Sequence, residues 1–196
     1  MSAIPVSPAG AEWTLPSRGR VAMLSLIIGE SAIFTIFVVA YVYYIGKSLS
    51  GPTPQQVLDI PIFNTICLLS SSVTIWLAER EIDRGRMKAF AAWWALTIAL
   101  GVVFIAGTAL EWHKLIYVDG LTIRTNLFGT TFYSLVGLHA THVVVGLVGL
   151  SLILLFTLTG HVNERHSERI QVFALYWHFV DAVWVVVFTV VYVIGR

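Results

Sequence analysis

A histidine and an aspartate, His178 and Asp181, lie three residues apart in ALYWHFVDAVW, inside an apolar run that continues through Val185, Val186, Val187 and Phe188 to Ile194. His139 and His142 repeat that spacing in GLHATHVVVGL, and Glu30 stands among Ile28, Ala32, Ile33 and Phe34. Three kinds of chemistry suit such groups. Imidazoles one turn apart, or on two helices, can ligate a metal or a haem. Carboxyl and imidazole groups can hold and pass protons. Polar side chains can also simply satisfy one another by hydrogen bonding, as His178 and Asp181 could. Two imidazoles with no nearby cysteine and no third or fourth ligand make a poor zinc or copper site, so no metal ligand is expected. Glu30 is the hardest to read as inert, because an ionisable side chain in an apolar helix usually faces inward, pairs, and marks a function. Glu111, in EWHK at the edge of an apolar run, reads as a boundary acid with a solvated or capping role.

These residues need elements to hold them, and composition says of what kind. Hydrophobic residues make up 57% of the 196 and charged ones 12%, with a mean hydropathy of +0.82, against about 45–50% and about 25% in soluble domains. A bilayer span takes about 20 predominantly apolar residues. Five stretches qualify, at about 21–45, 60–78, 89–110, 128–159 and 170–194. An all-α membrane bundle of five transmembrane helices, forming one domain over 21–196, is expected. Residues 1–20 carry three prolines, Glu12, Arg18 and Arg20 without a signal-peptide core, and are expected to form a cytoplasmic arm with Trp13 as interface anchor. With the N-terminus inside, the inner segments hold Arg18, Arg20, Arg80, Arg84, Arg86, Lys88, Arg165 and Arg169, and the outer ones Lys47, Lys114, Arg124 and Arg196. Eight cations against four place the N-terminus in the cytoplasm and the C-terminus on the outer, periplasmic side.

Helical spacing puts Glu30, Phe34, Phe37, Tyr41 and Tyr44 on one stripe of the first span. It aligns Thr97, Gly101, Phe104, Thr108 and Glu111 in the third, and Phe132, Leu135, His139, His142, Gly146 and Gly149 in the fourth. Small and polar residues of this kind let membrane helices approach closely, and Asn64 and Ser71 extend the pattern to the second span. At 1.5 Å per residue Glu30 lies about 13 Å, His178 about 12 Å and Asp181 about 16 Å from the inner ends of their spans. That depth permits one polar cluster of Glu30, His139, His142, His178 and Asp181.

A net charge of +1 excludes a nucleic-acid footprint. Cys67, the single cysteine, can form neither an intrachain disulfide nor a thiolate cage and reads as an apolar filler. GKSLSGPTPQQ reads as an exposed loop. Arg80, Arg84, Arg86 and Lys88 are candidates for phospholipid headgroup contacts, or are topology determinants only.

The run YWHFVDAVWVVVFTVVY resembles the C-terminal signature of subunit III of the haem-copper oxidases of the cytochrome c oxidase type. FYSLVGLHATHVVVGL is similar to that family's helix in which two histidines follow a glycine, GESAIFTIFVVAYVYY to its helix with a buried glutamate before aromatics, and ALEWHKL to a helix end with an acid beside an aromatic. The segments occur in the family's order over about residues 20–195. The resemblance implies the short, five-span bacterial form, in the cytoplasmic (inner) membrane. It implies an accessory subunit with no cofactor of its own, beside oxidase subunits I and II, with a small subunit IV and a respiratory supercomplex as further partners and haem and copper in those partners. The implied roles are to stabilise subunit I, hold phospholipids and support proton uptake, with Glu30 at the family's intramembrane glutamate and His139, His142, His178 and Asp181 at its other polar positions. The chain departs from the common form at Gly29, Trp112 and the Ala140–Thr141 pair between the histidines. A quinol oxidase or nitric-oxide-reductase-associated subunit shares the scaffold and stays open. So do two readings of other classes, a haem-binding cytochrome b-like electron carrier and an independent proton-coupled transporter.

Overall fold

The computed structural model describes residues 17–195, and within them the chain is helical without strands. Residues 1–16 of the arm expected over 1–20, Trp13 among them, and Arg196 lie outside the described residues, whereas Arg18 to Arg20 of that arm already belong to the first helix, which Ser17 caps. Five helices are long and apolar enough to cross a membrane: α1 (Arg18–Tyr44), α3 (Ile62–Asp83), α4 (Met87–Tyr117), α5 (Leu127–Leu158) and α6 (Ser167–Phe188, continued by a π-helical turn over Thr189–Ile194). Only residues 84–86 separate α3 from α4, so the two pack as an antiparallel hairpin. Gly85, at φ 70°, supplies the left-handed residue that stops α3.

α6 touches α1, α3 and α5, α5 also lies against α4, and α1 rests on α5 and α6 from outside. Trp177 of α6, fully buried, fills the centre. It fits because Gly101 of α4 and Gly146 of α5 carry no side chain: a Cβ on Gly146 would lie 2.8 Å from Trp177 Cε3, and one on Gly101 3.0 Å from its Cη2. The indole N–H meanwhile donates to Ser71 Oγ of α3 at 2.8 Å. One side chain thus ties α6 to α3, α4 and α5. On α1, by contrast, only Phe34 and Tyr41 are buried.

Two helices run past their expected ends. α3 continues beyond residue 78 through Glu79, Arg80 and Glu81, and α4 beyond 110 to Tyr117. Hydropathy marks where the apolar solvent ends, whereas the backbone ladder stops only where a residue breaks it. The 31 residues of α4 span about 46 Å, against about 30 Å of hydrocarbon. The segment expected as an exposed loop also holds a short helix, α2 (Pro54–Val57). Pro54 opens it, Thr53 N–H donates to Gln56 Oε1 at 3.1 Å, and Val57 and Leu58 are buried beneath. Asn126 caps α5 by accepting from Gly129 N–H at 2.8 Å, and its amide donates to the Ser50 and Pro52 carbonyls, both at 3.1 Å, fastening this segment to the α4–α5 connection.

Candidate functional site

Glu30 of α1 and His142 of α5 face each other, with His142 Nε2 3.0 Å from Glu30 Oε2. Phe34, one turn along from Glu30, lies over the imidazole at 5.0 Å between ring centroids, and the Tyr176 hydroxyl donates to the His142 carbonyl at 3.2 Å. His142 Nδ1 is 2.8 Å from the Leu138 carbonyl. A carbonyl only accepts, so Nδ1 carries a hydrogen and Nε2 faces the carboxyl. A hydrogen bond between them needs one further proton, carried by Nε2 or by the carboxyl. Their side chains are 14% (His142) and 23% (Glu30) exposed, and they line a cavity of about 300 Å³ with Leu26 and Tyr176. The pair can therefore hold a proton within reach of the bundle surface. It leaves His142 no ring nitrogen for a metal.

Asp181 of α6 is 2% exposed and belongs to a separate group. Its Oδ2 accepts from Ser72 Oγ of α3 and, at 3.4 Å, from Ser71 Oγ. Ser72 Oγ also lies 3.1 Å from His178 Nδ1, and His178 Nε2 is 3.8 Å from Glu79 Oε2. His178 and Asp181 do not bond each other directly: both reach across to Ser72, because residues three apart on α6 point together at the facing helix. Asp181 Oδ1 has no hydrogen-bond partner among the described residues.

His139 joins neither group. It is fully buried, stacked on Trp184 at 5.0 Å with Phe104 edge-on at 5.9 Å, and neither ring nitrogen has a partner among the described residues. The expected single cluster is therefore three sites. Similar depth did not bring the groups together, because α1 and α3 lie against different sides of α6 and the aromatic rings of Phe34, Phe179 and Trp184 fill the space beside His139 and His142.

Glu111 is also not the solvated boundary acid expected. It sits six residues before the end of α4, partly buried, and accepts from the Tyr192 hydroxyl at 2.9 Å. The extension of α4 to Tyr117 brings it inside the bundle end. Of the four cations, Arg84 and Arg86 both pair with Glu81, at 2.9 and 3.1 Å, and Arg80 stacks 3.5 Å over the Trp76 ring. Lys88 is exposed. Two of the four thus already have a carboxylate partner within the chain.

Sequence reasoning missed Ser72, Glu79, Tyr176 and Tyr192. The Ser70–Ser71–Ser72 run was the available signal for the first, since three consecutive hydroxyls place one on almost any face of a helix. Among the described residues no group of three or more His, Cys, Asp or Glu side chains is placed to hold a metal ion.

Residues 18–196 match the family model described as cytochrome c oxidase subunit III. The chain is 34% identical to cytochrome c oxidase subunit 3 of Alkalihalophilus pseudofirmus over 85% of its own length and 82% of that protein's. It is 30% identical to the subunit of the same name from Bacillus sp. strain PS3, over 96% and 93%. It is also 30% identical to cytochrome bo(3) ubiquinol oxidase subunit 3 of Pseudomonas aeruginosa, over 86% and 81%. A helical chain with five membrane-spanning-capable helices, matched along almost its whole length in this way, belongs to the cytochrome c oxidase subunit III family and is an accessory subunit of an oxygen-reducing haem-copper oxidase.

Proposed function

We propose that this chain, itself without a redox cofactor, stabilises the catalytic subunit I and supports its proton uptake, with the Glu30–His142 pair as the element that holds the proton. The observation that carries this reading is the 3.0 Å approach of His142 Nε2 to Glu30 Oε2 beside a cavity at the bundle surface. Subunits I and II are the partners, with haem and copper held there, and the eight-to-four asymmetry of cations supports an N-terminus in the cytoplasm and a C-terminus outside, in a bacterial cytoplasmic membrane. Several relatives named for cytochrome c favour that donor. The relative named as a ubiquinol oxidase subunit supports quinol as the second reading.

Replacing Glu30 by glutamine tests the proton role. The glutamine amide can still donate to His142 Nε2, so shape and hydrogen bonding are kept while the ionisation is lost. The Glu30→Gln complex is expected to assemble with normal haem content and to react with oxygen normally in a single turnover. Its sustained activity should fall relative to the parent, most at alkaline pH where free protons are scarcest. Activity unchanged across pH, together with a clear loss of thermal stability, would make Glu30 a structural partner of His142 and nothing more.

A further inference from the structure

Where α1 ends and α5 begins, the bundle encloses a cavity of about 370 Å³ unrelated to Glu30, His142 or Asp181. Tyr41 and Tyr44 of α1 and Phe128 of α5 give it aromatic walls, Ile194 and Gly195 close one side, and Ser48 and Thr53 lie over it. Tyr41 is 1% exposed, yet its hydroxyl has no hydrogen-bond partner among the described residues. Tyr41 and Gly195 both line the cavity, and the hydroxyl packs beside Gly195, on which a Cβ would be 2.7 Å from it. The nearby Tyr192 hydroxyl spends its hydrogen on Glu111. The backbone also departs from α-helix at this wall: Thr189–Ile194 is a π-helical turn whose end places Gly195 N–H 3.0 Å from the Val190 carbonyl. Such turns often occur at functional positions.

Three features define what could enter. Tyr41 lies about 35 Å along α1 from Arg18, past the roughly 30 Å of hydrocarbon, with Tyr43 and Tyr44 beside it as an interfacial aromatic belt would have them. None of the described lining residues is an acid, a base or a histidine. Of the two basic residues that adjoin the wall in sequence, Lys47 is held 3.3 Å over the Tyr43 ring and is not part of the wall, and Arg196 lies outside the described residues. No described residue of the wall offers a phosphate or carboxylate head a counter-charge, whereas a buried phenol with an unspent hydrogen is a donor waiting for an uncharged oxygen.

We propose that this cavity binds an uncharged amphiphile from the membrane, whose carbonyl oxygen accepts the Tyr41 hydroxyl hydrogen while its body packs on Tyr44 and Phe128. Two membrane molecules carry that chemistry, the ring carbonyl of a quinone and the acyl ester of an uncharged glyceride.

The test uses the intact oxidase complex, delipidated in mild detergent and titrated with decylubiquinone, with dioleoylglycerol and, as the charged control, with phosphatidylglycerol. Bound ligand is counted by native mass spectrometry. Two variants accompany the parent: Tyr41→Phe, which removes only the hydroxyl, and Ile194→Trp, which fills the cavity from a wall residue that is 60% exposed. One uncharged probe or both should bind saturably, about twofold to tenfold more weakly in Tyr41→Phe, with that saturable component absent from Ile194→Trp. Decylubiquinone alone assigns a quinone and dioleoylglycerol alone a glyceride. Should Tyr41→Phe fail to assemble, the loss in Ile194→Trp carries the result. Binding of neither uncharged probe, binding unaltered by Ile194→Trp, or equal binding of phosphatidylglycerol at the same place overturns the proposal.

Discussion

Gly146→Ala adds one methyl group at a helix crossing filled by the central tryptophan. The new Cβ would lie 2.8 Å from both Cε3 and Cζ3 of Trp177 and 3.4 Å from Cε1 of Tyr176, whereas carbon atoms rest about 3.5–4.0 Å apart. The indole has little freedom to retreat: it is fully buried, its N–H is fixed on Ser71 Oγ, and its far edge already meets Gly101. Overpacking of this kind costs about 1–3 kcal/mol. Alanine gains up to about 1 kcal/mol over glycine as a helix former. The strain prevails, and a net loss of about 1–2 kcal/mol is expected. Gly29 provides the matched control, because nothing lies within 4 Å of the Cβ it would acquire, and Gly29→Ala should be neutral or stabilising by up to about 1 kcal/mol. Titration of each variant in dodecyl maltoside with sodium dodecyl sulfate, followed by tryptophan fluorescence, should lower the midpoint of Gly146→Ala and leave that of Gly29→Ala unchanged or raised. In a Trp177→Phe background the further cost of Gly146→Ala should be smaller, since the smaller ring relieves the contact. Equal shifts of the two alanine variants in the same direction would refute the reasoning.

His139→Leu should assemble normally, with haem and copper content of the complex unchanged and stability equal or improved, because no hydrogen bond is lost and an unpaired buried polar ring is removed; metal analysis and a thermal melt check both. Neutralising Arg84 and Arg86 together should lower the phospholipid count of the purified complex less than neutralising Arg80 and Lys88, since both of the former are already engaged by Glu81; lipid extraction and quantification separate the outcomes.

The five helices were legible because each is a long apolar run, and the inward stripes of the third and fourth followed from small residues at helical spacing: Thr97, Gly101, Phe104, Thr108, Phe132, Leu135 and Gly146 are all buried. Hydropathy could not place the helix ends, since the charged turns at Glu79–Glu81 and Glu111–Lys114 continue the backbone ladder beyond the apolar solvent. The candidate residues were legible as individuals and not as partners. Which acid meets which histidine depends on the rotation of each helix about its axis, and that is decided by contacts between helices far apart in sequence, such as Trp177 with Ser71 or Phe34 with His142. Ser72 shows the limit most plainly: nothing in its own segment distinguishes it from Ser70, and only the arrival of α6 gives it Asp181 and His178.

Trp177 has a consequence for biogenesis. The glycines that make room for it and the serine that accepts its N–H lie on α3, α4 and α5, all synthesised earlier than α6. During synthesis the first four membrane helices can insert and associate around an empty slot, which also leaves the Ser71 and Ser72 hydroxyls without Trp177 and Asp181. The last helix fills the slot and brings Ser72 its carboxylate acceptor in one docking step, while Ser71 already donates to the Leu68 carbonyl of its own helix. A chain interrupted before Ser167 would therefore retain a hole and an unmet Ser72 hydroxyl in the membrane interior, a mark by which a quality-control protease could tell an unfinished subunit from a finished one before either reaches the oxidase.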